Sequence, residues 1–347
     1  MVYASATMTS PVRVKALPPW LFALLLVVAA QPWAHGVVAR QRPAADKTSG
    51  AALETIQIRP NVYVIFGAGC NVTVHAGEDG VILVDSGSAA AADKVVAAVK
   101  AITDQPIRMI INTSADADHV GGNERIARAG RAINPDSFTD QPQATVLSHE
   151  NVLTRMSAPR GEGSPFTVGM WPTETYTSRI RAMYLNDDAV QVMRQLGAHS
   201  DGDSLVLFRR ADVVATGDIL DLRTFPAIDP AKGGSIQGEL DALNHLLELV
   251  VPAMPLVTKP GKTLVVPGHG YISDYGEIVE YRDMVTIIRD IIADMIGKGM
   301  TLAQVKAANP TQGYRARYGS ETGPWTTDMF VEAVYSGLKK PSGKSGA

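Results

Sequence analysis

The sequence predicts an α/β protein built from two successive series of short strands, each followed by helices. Three observations predict it. Runs of β-branched and aliphatic residues with strand-like alternation recur over 62–84 and again over 189–216. Segments with apolar residues at helical spacing follow each series. Histidines and aspartates of metal-ligand type fall just past the ends of several of these strands. Two such series suggest two sheets packed face to face with helices outside, although periodicity alone also admits a doubly wound sheet.

The chain has 347 residues, of which 46% are hydrophobic and 19% charged, an ordinary globular composition for one large domain or two modest ones. A formal charge of -3 and the lack of any Lys/Arg block argue against a nucleic-acid partner. Arg13 and Lys15 precede an apolar stretch over 20–30, about half the length a bilayer span needs. Small residues suited to cleavage follow at Val28-Ala29-Ala30 and Val37-Val38-Ala39. Residues 1–39, including His35, therefore read as a signal peptide, and the mature protein as periplasmic or secreted, with no stable membrane span. Residues 40–53 read as a linker, 54–340 as the folded domain and 341–347 as a disordered tail. The only cysteine is Cys70, so no intrachain disulfide can form. Its place after Gly67-Ala68-Gly69 suits a buried small apolar residue.

Within the domain, strands are expected at 62–66, 71–74 and 81–84, with Glu78-Asp79-Gly80 as the hairpin turn between the last two. Asp85-Ser86-Gly87 ends the third strand. The alanine-rich stretch 88–102 places Val95, Val96 and Val99 at helical spacing. A strand over 108–112 and a helix after Gly122 complete the first half. Residues 157–187 lack clear periodicity and hold several Gly and Pro, which suggests a long irregular insertion of the kind that contacts substrate. Strands follow at 189–196, 204–208 and 213–216, then an amphipathic helix over 235–251. A strand over 263–266 leads into Pro267-Gly268-His269-Gly270, and helices over 276–296, 301–308 and 327–338 finish the domain.

The most informative segment is Asn112-Thr113-Ser114-Ala115-Asp116-Ala117-Asp118-His119-Val120-Gly121-Gly122-Asn123. Met109-Ile110-Ile111 before it has the character of a buried strand, and Gly121-Gly122 lets the backbone bend into the next helix. The segment resembles the signature of the metallo-β-lactamase superfamily, His-x-His-x-Asp-His followed by Gly-Gly-Asn. Ser114 and Asp116 stand where the signature has its two leading histidines. Asp85, His199 in Ala198-His199-Ser200-Asp201-Gly202-Asp203, Asp218 in Thr216-Gly217-Asp218, and His269 complete the family order, so the similarity runs over about 55–333. The resemblance implies an αβ/βα four-layer sandwich, with a metal site at one edge where the sheets meet, and so decides between the two sheet arrangements.

The same resemblance implies a first metal position formed by Ser114, Asp116 and His199. It implies a second formed by Asp118, His119 and His269, with Asp218 bridging the two. Two imidazoles and two carboxylates at the second position suit Zn2+. The first is altered: a serine hydroxyl stays protonated near neutral pH, and an oxygen-rich set admits Mn2+ or Fe2+. Three outcomes follow. One metal acts alone at the second position with Asp116 as general base; a weaker first metal survives; or catalysis is lost. Asp85 matches a position that braces the metal loop. His149 opens a helix and is a weaker site candidate. Lys232-Gly233-Gly234-Ser235 precedes a helix N-terminus whose backbone N–H groups suit a substrate carboxylate. His75, His245, Asp203 and Thr216 read as structural.

The resemblance thus implies an exported metal-dependent hydrolase that acts on a small-molecule amide, lactone, ester or thioester, a β-lactam among them. Asp116 and Asp118 are its candidate catalytic residues. Two other readings are a non-catalytic binding or scaffold protein of the same fold, and an iron-dependent oxidoreductase.

Overall fold

The computed structural model describes residues 53–133, 143–158, 166–253 and 261–339. The expected signal peptide, the linker up to residue 52 and the expected tail lie outside the described residues. A seven-stranded sheet runs in chain order through β1 (Glu54–Arg59), β2 (Val62–Phe66), β3 (Val72–Gly77), β4 (Gly80–Val84), β5 (Ile107–Ile111), β6 (Thr145–His149) and β7 (Glu174–Tyr176). Its first four strands form an antiparallel meander, and β4 to β7 are parallel. Parallel neighbours need crossovers. These are supplied by α1 (Ala92–Ile102), then by α2 (Ala117–Val120) with α3 (Asn123–Ala129), then by α4 (Glu150–Ser157).

The second sheet holds β8 (Ile180–Leu185), β9 (Asp188–Arg194), β10 (Ser204–Phe208), β11 (Val213–Asp221) and β12 (Leu264–His269). Successive strands from β8 to β11 pair antiparallel. After α5 (Ile236–Leu249) the chain returns as β12, parallel to β11. The helices α6 (Tyr275–Gly297), α7 (Leu302–Ala307), α8 (Arg315–Tyr318) and α9 (Thr327–Lys339) follow. Among the described residues, no helix is long and apolar enough to cross a membrane.

Strand alternation sorts the side chains into layers. On β4, Val81 and Leu83 pack with Val95, Val99 and Ile126 of α1 and α3. Ile82 and Val84 point the other way, into an apolar layer shared with Val190, Val206, Phe208, Val213 and Val266 of the second sheet. On β11, Val213 and Ala215 face that middle layer, while Val214 joins Leu243 of α5, Ile288 of α6 and Phe330 of α9 on the outer side. A strand buried on both faces reads as a continuous apolar run, which is what Val81-Ile82-Leu83-Val84 shows. The result is the expected four-layer sandwich: helices, sheet, sheet, helices.

Several elements were not expected. The segment 157–187 is not wholly irregular, for it carries β7 and β8. The outer strand β8 pairs only with β9 and leaves Ile180 and Tyr184 exposed, so no buried face imposed an apolar alternation on it. Arg181 on β8 keeps that edge charged. β1, exposed over most of its length, evaded detection for the same reason. β6 was hidden because its apolar run ends in buried Ser148 and His149. Part of the 166–171 stretch packs against the loop after β5 and against α4: Phe166, Met170 and Trp171 cover Ala115 and Val120 of the loop and Val152 and Met156 of the helix.

Leu83 is fully buried in the layer between the first sheet and α1. Leu83→Ala should therefore lower unfolding stability by about 3 kcal/mol, the typical cost of such a cavity. Urea denaturation checks it; a loss below about 1 kcal/mol would contradict the layer assignment.

Candidate metal centre

The loop after β5 is fixed from below. Asp85 leaves β4 in the left-handed region, at φ 63°. Its carboxylate accepts from the Thr113 backbone N–H at 2.8 Å, from the Thr113 hydroxyl at 2.7 Å and from His119 Nδ1 at 2.8 Å. An imidazole that gives one nitrogen to a carboxylate presents the other in a set direction, and His119 Nε2 points to Asp218 at 3.0 Å. Gly121 and Gly122 are required by close approach. A Cβ on Gly122 would meet the Ser86 carbonyl at 2.3 Å, and one on Gly121 would meet Ala89 N at 2.5 Å. Asn123 exchanges amide hydrogen bonds with Asn112 at 2.8 and 3.0 Å, which ties the start of α3 back to the end of β5.

Asp218 reaches the centre from the second sheet. The β11–β12 register shifts on either side of Gly217, which adopts φ 54°. Such an irregularity re-aims the following side chain, and β11 runs on to Asp221 rather than ending at Thr216 as expected. Asp218 Oδ1 accepts from His119 Nε2 at 3.0 Å and from His269 Nδ1 at 3.1 Å, and its Oδ2 lies 3.8 Å from His199 Nε2. His269, the last residue of β12, also donates from Nε2 to Asp118 at 2.9 Å. His199 donates from Nε2 to Asp116 at 2.5 Å and from Nδ1 to the Ala227 carbonyl.

The donor atoms of the six residues named from the sequence form two groups. Asp118, His119 and His269 each offer a ligand atom within 4.8 Å of the others, as do Asp116, His199 and Asp218. All six residues named from the sequence converge. The first group, with Asp218 alongside, fits a divalent ion: two buried or half-buried imidazoles and two carboxylates suit tetrahedral zinc. The second group is compromised. The Lys232 ammonium donates to Asp116 Oδ1 and lies 3.4 Å from Asp229 Oδ2. Ser114 is buried, and its hydroxyl accepts from the Asp116 N–H at 3.3 Å.

Electrostatics follow from this packing. Burial pulls the His199 pKa down, but Asp116 and Asp218 outweigh it and lift the pKa to about 10. His269 shows the same contest and rises to about 9, held up by Asp118 and Asp218. His119 rises well above its ordinary value despite complete burial, because Asp218 and Asp85 flank it. Burial pushes Asp116 up, yet the bond to His199 and the charges of His199 and Lys232 bring it down to about 2. Asp218 is held well below the carboxylate range: its burial is outweighed by His119, His269 and His199. Burial raises the Cys70 thiol to about 11, which fits the expected inert core residue.

The other expectations fall out as follows. His149 ends β6 and accepts from Asn151 N–H at 3.2 Å as the cap of α4, in neither donor group. Gly233, Gly234 and Ser235 use their N–H groups on Pro230, Asp229 and Gly197, and in the first turn of α5 the Gly238 N–H donates to the Ser235 hydroxyl at 3.0 Å. The atom that this segment brings to Asp116 is the Lys232 ammonium, which sequence reasoning passed over in favour of the backbone. Asp203 accepts from Ser200 N–H and hydroxyl at 2.7 and 2.5 Å, and His75 stacks on Phe208 at 4.8 Å, both structural. Glu239 was also missed. It lies fully buried on α5, and burial together with Asp203 raises its carboxyl well above the ordinary carboxylate range.

Residues 65–134 match the family model of the metallo-beta-lactamase superfamily. Similar solved structures include a stereoselective inverting sec-alkylsulfatase from Pseudomonas sp., at 15% identity and a TM-score of 0.56, covering 82% of this chain and 50% of that one. A double mutant of a sec-alkylsulfatase gives 14% identity and 0.57 over the same shares. A metallo-beta-lactamase from Pontibacter korlensis gives 17% identity and 0.50, covering 67% of this chain and 99% of that one. The chain thus spans half the length of the sulfatase structures it matches. No curated protein matches it significantly in sequence. The matched segment resembles the metallo-beta-lactamase superfamily, and the fold over two thirds of the chain is similar to that of a metallo-beta-lactamase. Within the matched segment, Ser114 and Asp116 stand where the signature it resembles has its two leading histidines.

Protons and a metal ion compete for these imidazoles. A doubly protonated ring has no lone pair for a metal, so apparent affinity falls as pH drops below the raised values of His119 and His269. Near neutral pH, binding of one ion by this pair should expel about two protons, and affinity should climb until about pH 9, where His269 sheds its own. Zinc titration by calorimetry, in buffers of different protonation enthalpy, measures this. Release of no protons would contradict the ligand assignment.

Proposed function

We propose that the chain is an exported hydrolase dependent on a single divalent cation, zinc in first place, held by Asp118, His119, His269 and Asp218. The observation that carries this reading is the convergence of these four side chains from loops far apart in sequence, with donor atoms in hydrogen-bonding range of one another. A cation bound there supplies a nucleophilic water at neutral pH and Lewis-acid polarisation of the scissile group. Asp85 sets the His119 ring so that Nε2 faces the ion. Asp218 joins the two sheets at the centre and neutralises charge there. Asp118 has the most exposed side chain of the site carboxylates, 40% against 21% for Asp116 and 10% for Asp218. It therefore serves proton exchange with solvent. Asp116, ionised down to about pH 2 and bonded to both His199 and Lys232, is a weak proton acceptor and anchors those two groups instead.

The substrate class that suits this centre is a small molecule with a carbonyl or sulfate ester bond: an amide, lactone, ester, thioester, β-lactam or secondary alkyl sulfate. The last two are included because similar folds carry those activities by name. Export rests on the apolar stretch over 20–30 and the cleavage motifs after it. A non-catalytic scaffold has one observation in its favour, the replacement of both leading histidines by Ser114 and Asp116.

Metal analysis of protein purified without chelators, paired with a hydrolysis screen over these esters and amides, separates the readings. The hydrolase reading expects bound zinc and turnover of at least one class. His269→Ala should cut both zinc affinity and turnover at least about tenfold, since loss of a mere supporting group already costs about 10–100-fold. Full zinc affinity in that variant would remove His269 from the centre. Protein that takes up no metal would favour the scaffold, and redox-active iron the oxidoreductase.

A further inference from the structure

We infer that Lys232 replaces the first metal ion of the centre: its ammonium is the built-in counter-charge of Asp116, and the protein is mononuclear because of it. The inference rests on the metal-dependent reading above and goes beyond it. It starts from a mismatch between the donors and a binuclear site. A first metal would draw on Asp116, His199 and Asp218, with Ser114 in the remaining place. Ser114 offers only a hydroxyl, and that oxygen already accepts from the Asp116 N–H inside the loop. Asp218 already receives hydrogen bonds from His119 and His269 at the other position. Asp116 gives one oxygen to His199 and the other to Lys232. A divalent ion on Asp116 would therefore sit one carboxylate away from a fixed ammonium, and like charges so close repel strongly.

Lys232 is not a surface lysine that happens to reach the site. It ends the one-turn helix Pro230–Lys232, which Asp229 caps by accepting from the Ala231 and Lys232 N–H groups at 2.9 and 3.2 Å. The turn is stitched to the His199 loop: Asp229 N–H donates to the His199 carbonyl at 2.9 Å, and Asp201 N–H to the Lys232 carbonyl at 2.9 Å. Gly233 closes it at φ 85°, a left-handed conformation that favours glycine. Arg155 adds a second tie, donating to Asp201 at 2.7 Å and to the Ala231 carbonyl at 3.2 Å. The lysine side chain itself is only 19% exposed. The turn bonded to the His199 loop thus carries the cation that pairs with Asp116. Asp116 suits this ammonium better than a histidine would, because a carboxylate brings the opposite charge as well as an acceptor whereas a neutral imidazole brings only an acceptor.

The test is zinc or cobalt stoichiometry, measured by elemental analysis after equilibrium dialysis against excess ion, with no reference to activity. Wild-type protein should hold about one equivalent per chain. Lys232→Met keeps the length of the side chain and removes its charge, so it should free Asp116 and raise the content to about two, with His199 and Asp218 as the other donors. Adding Asp116→Asn to that variant should return it to about one. Lys232→Gln, a second neutral replacement, should likewise rise to about two and serves if Lys232→Met does not fold. Two equivalents in the wild type, or one in folded Lys232→Met, would overturn the inference while leaving the metal-dependent reading intact. No metal in the wild type would instead sink that reading itself.

Discussion

One buried carboxylate holds the centre together. Asp218 stands between His119 of the first sheet and His199 and His269 of the second, within 3.0 to 3.8 Å of all three rings. Burying a lone carboxylate is costly, and this one is tolerated because positive charge reaches it from several sides. The two sheets could pack by their apolar middle layer in many sliding arrangements. The requirement that rings from both sheets meet one carboxylate selects the arrangement that makes a site. Gly217 is the backbone device behind it, since its left-handed kink turns Asp218 out of the regular strand pattern.

Around that carboxylate the molecule divides labour by element. Parallel strands β4, β5 and β12 end at the same rim, so the loops that follow them converge without long excursions. Asp85 links the first two of these loops through Thr113 and His119. Gly121 and Gly122 let the short helices after β5 press against the turn that follows β4. The rim is rigid because almost every polar atom in it is already engaged, and rigidity of this kind is what a preorganised cation site needs. The first cation position departs from this logic only in the nature of its charge, an ammonium on a tethered turn in place of an ion.

Much of this was legible in the sequence, for definite physical reasons. Strands buried on both faces, such as Val81-Ile82-Leu83-Val84, announce themselves as unbroken apolar runs. The loop after β5 could be read because Asp118-His119 and Gly121-Gly122-Asn123 match the signature it resembles. The six candidate site residues were legible as a set because their order along the chain matches that of the family it resembles, and the fold brings all six together. What escaped detection lacked a buried face to impose a pattern: β8 with its exposed Ile180 and Tyr184, β1 at the sheet edge, and β6 masked by Ser148 and His149. Lys232 escaped because a lysine before Gly-Gly-Ser reads as part of a turn. Only the tertiary fold brings its ammonium to Asp116, a residue 116 positions away.

The central claim is that imidazoles from both sheets and carboxylates beside them share one cation. X-ray absorption at the zinc edge of the loaded protein tests it most directly. The account predicts about two imidazole ligands with oxygen donors filling the remainder, and no metal–metal scattering. A zinc ion without imidazole neighbours, or one with a second metal a few ångströms away, would contradict it.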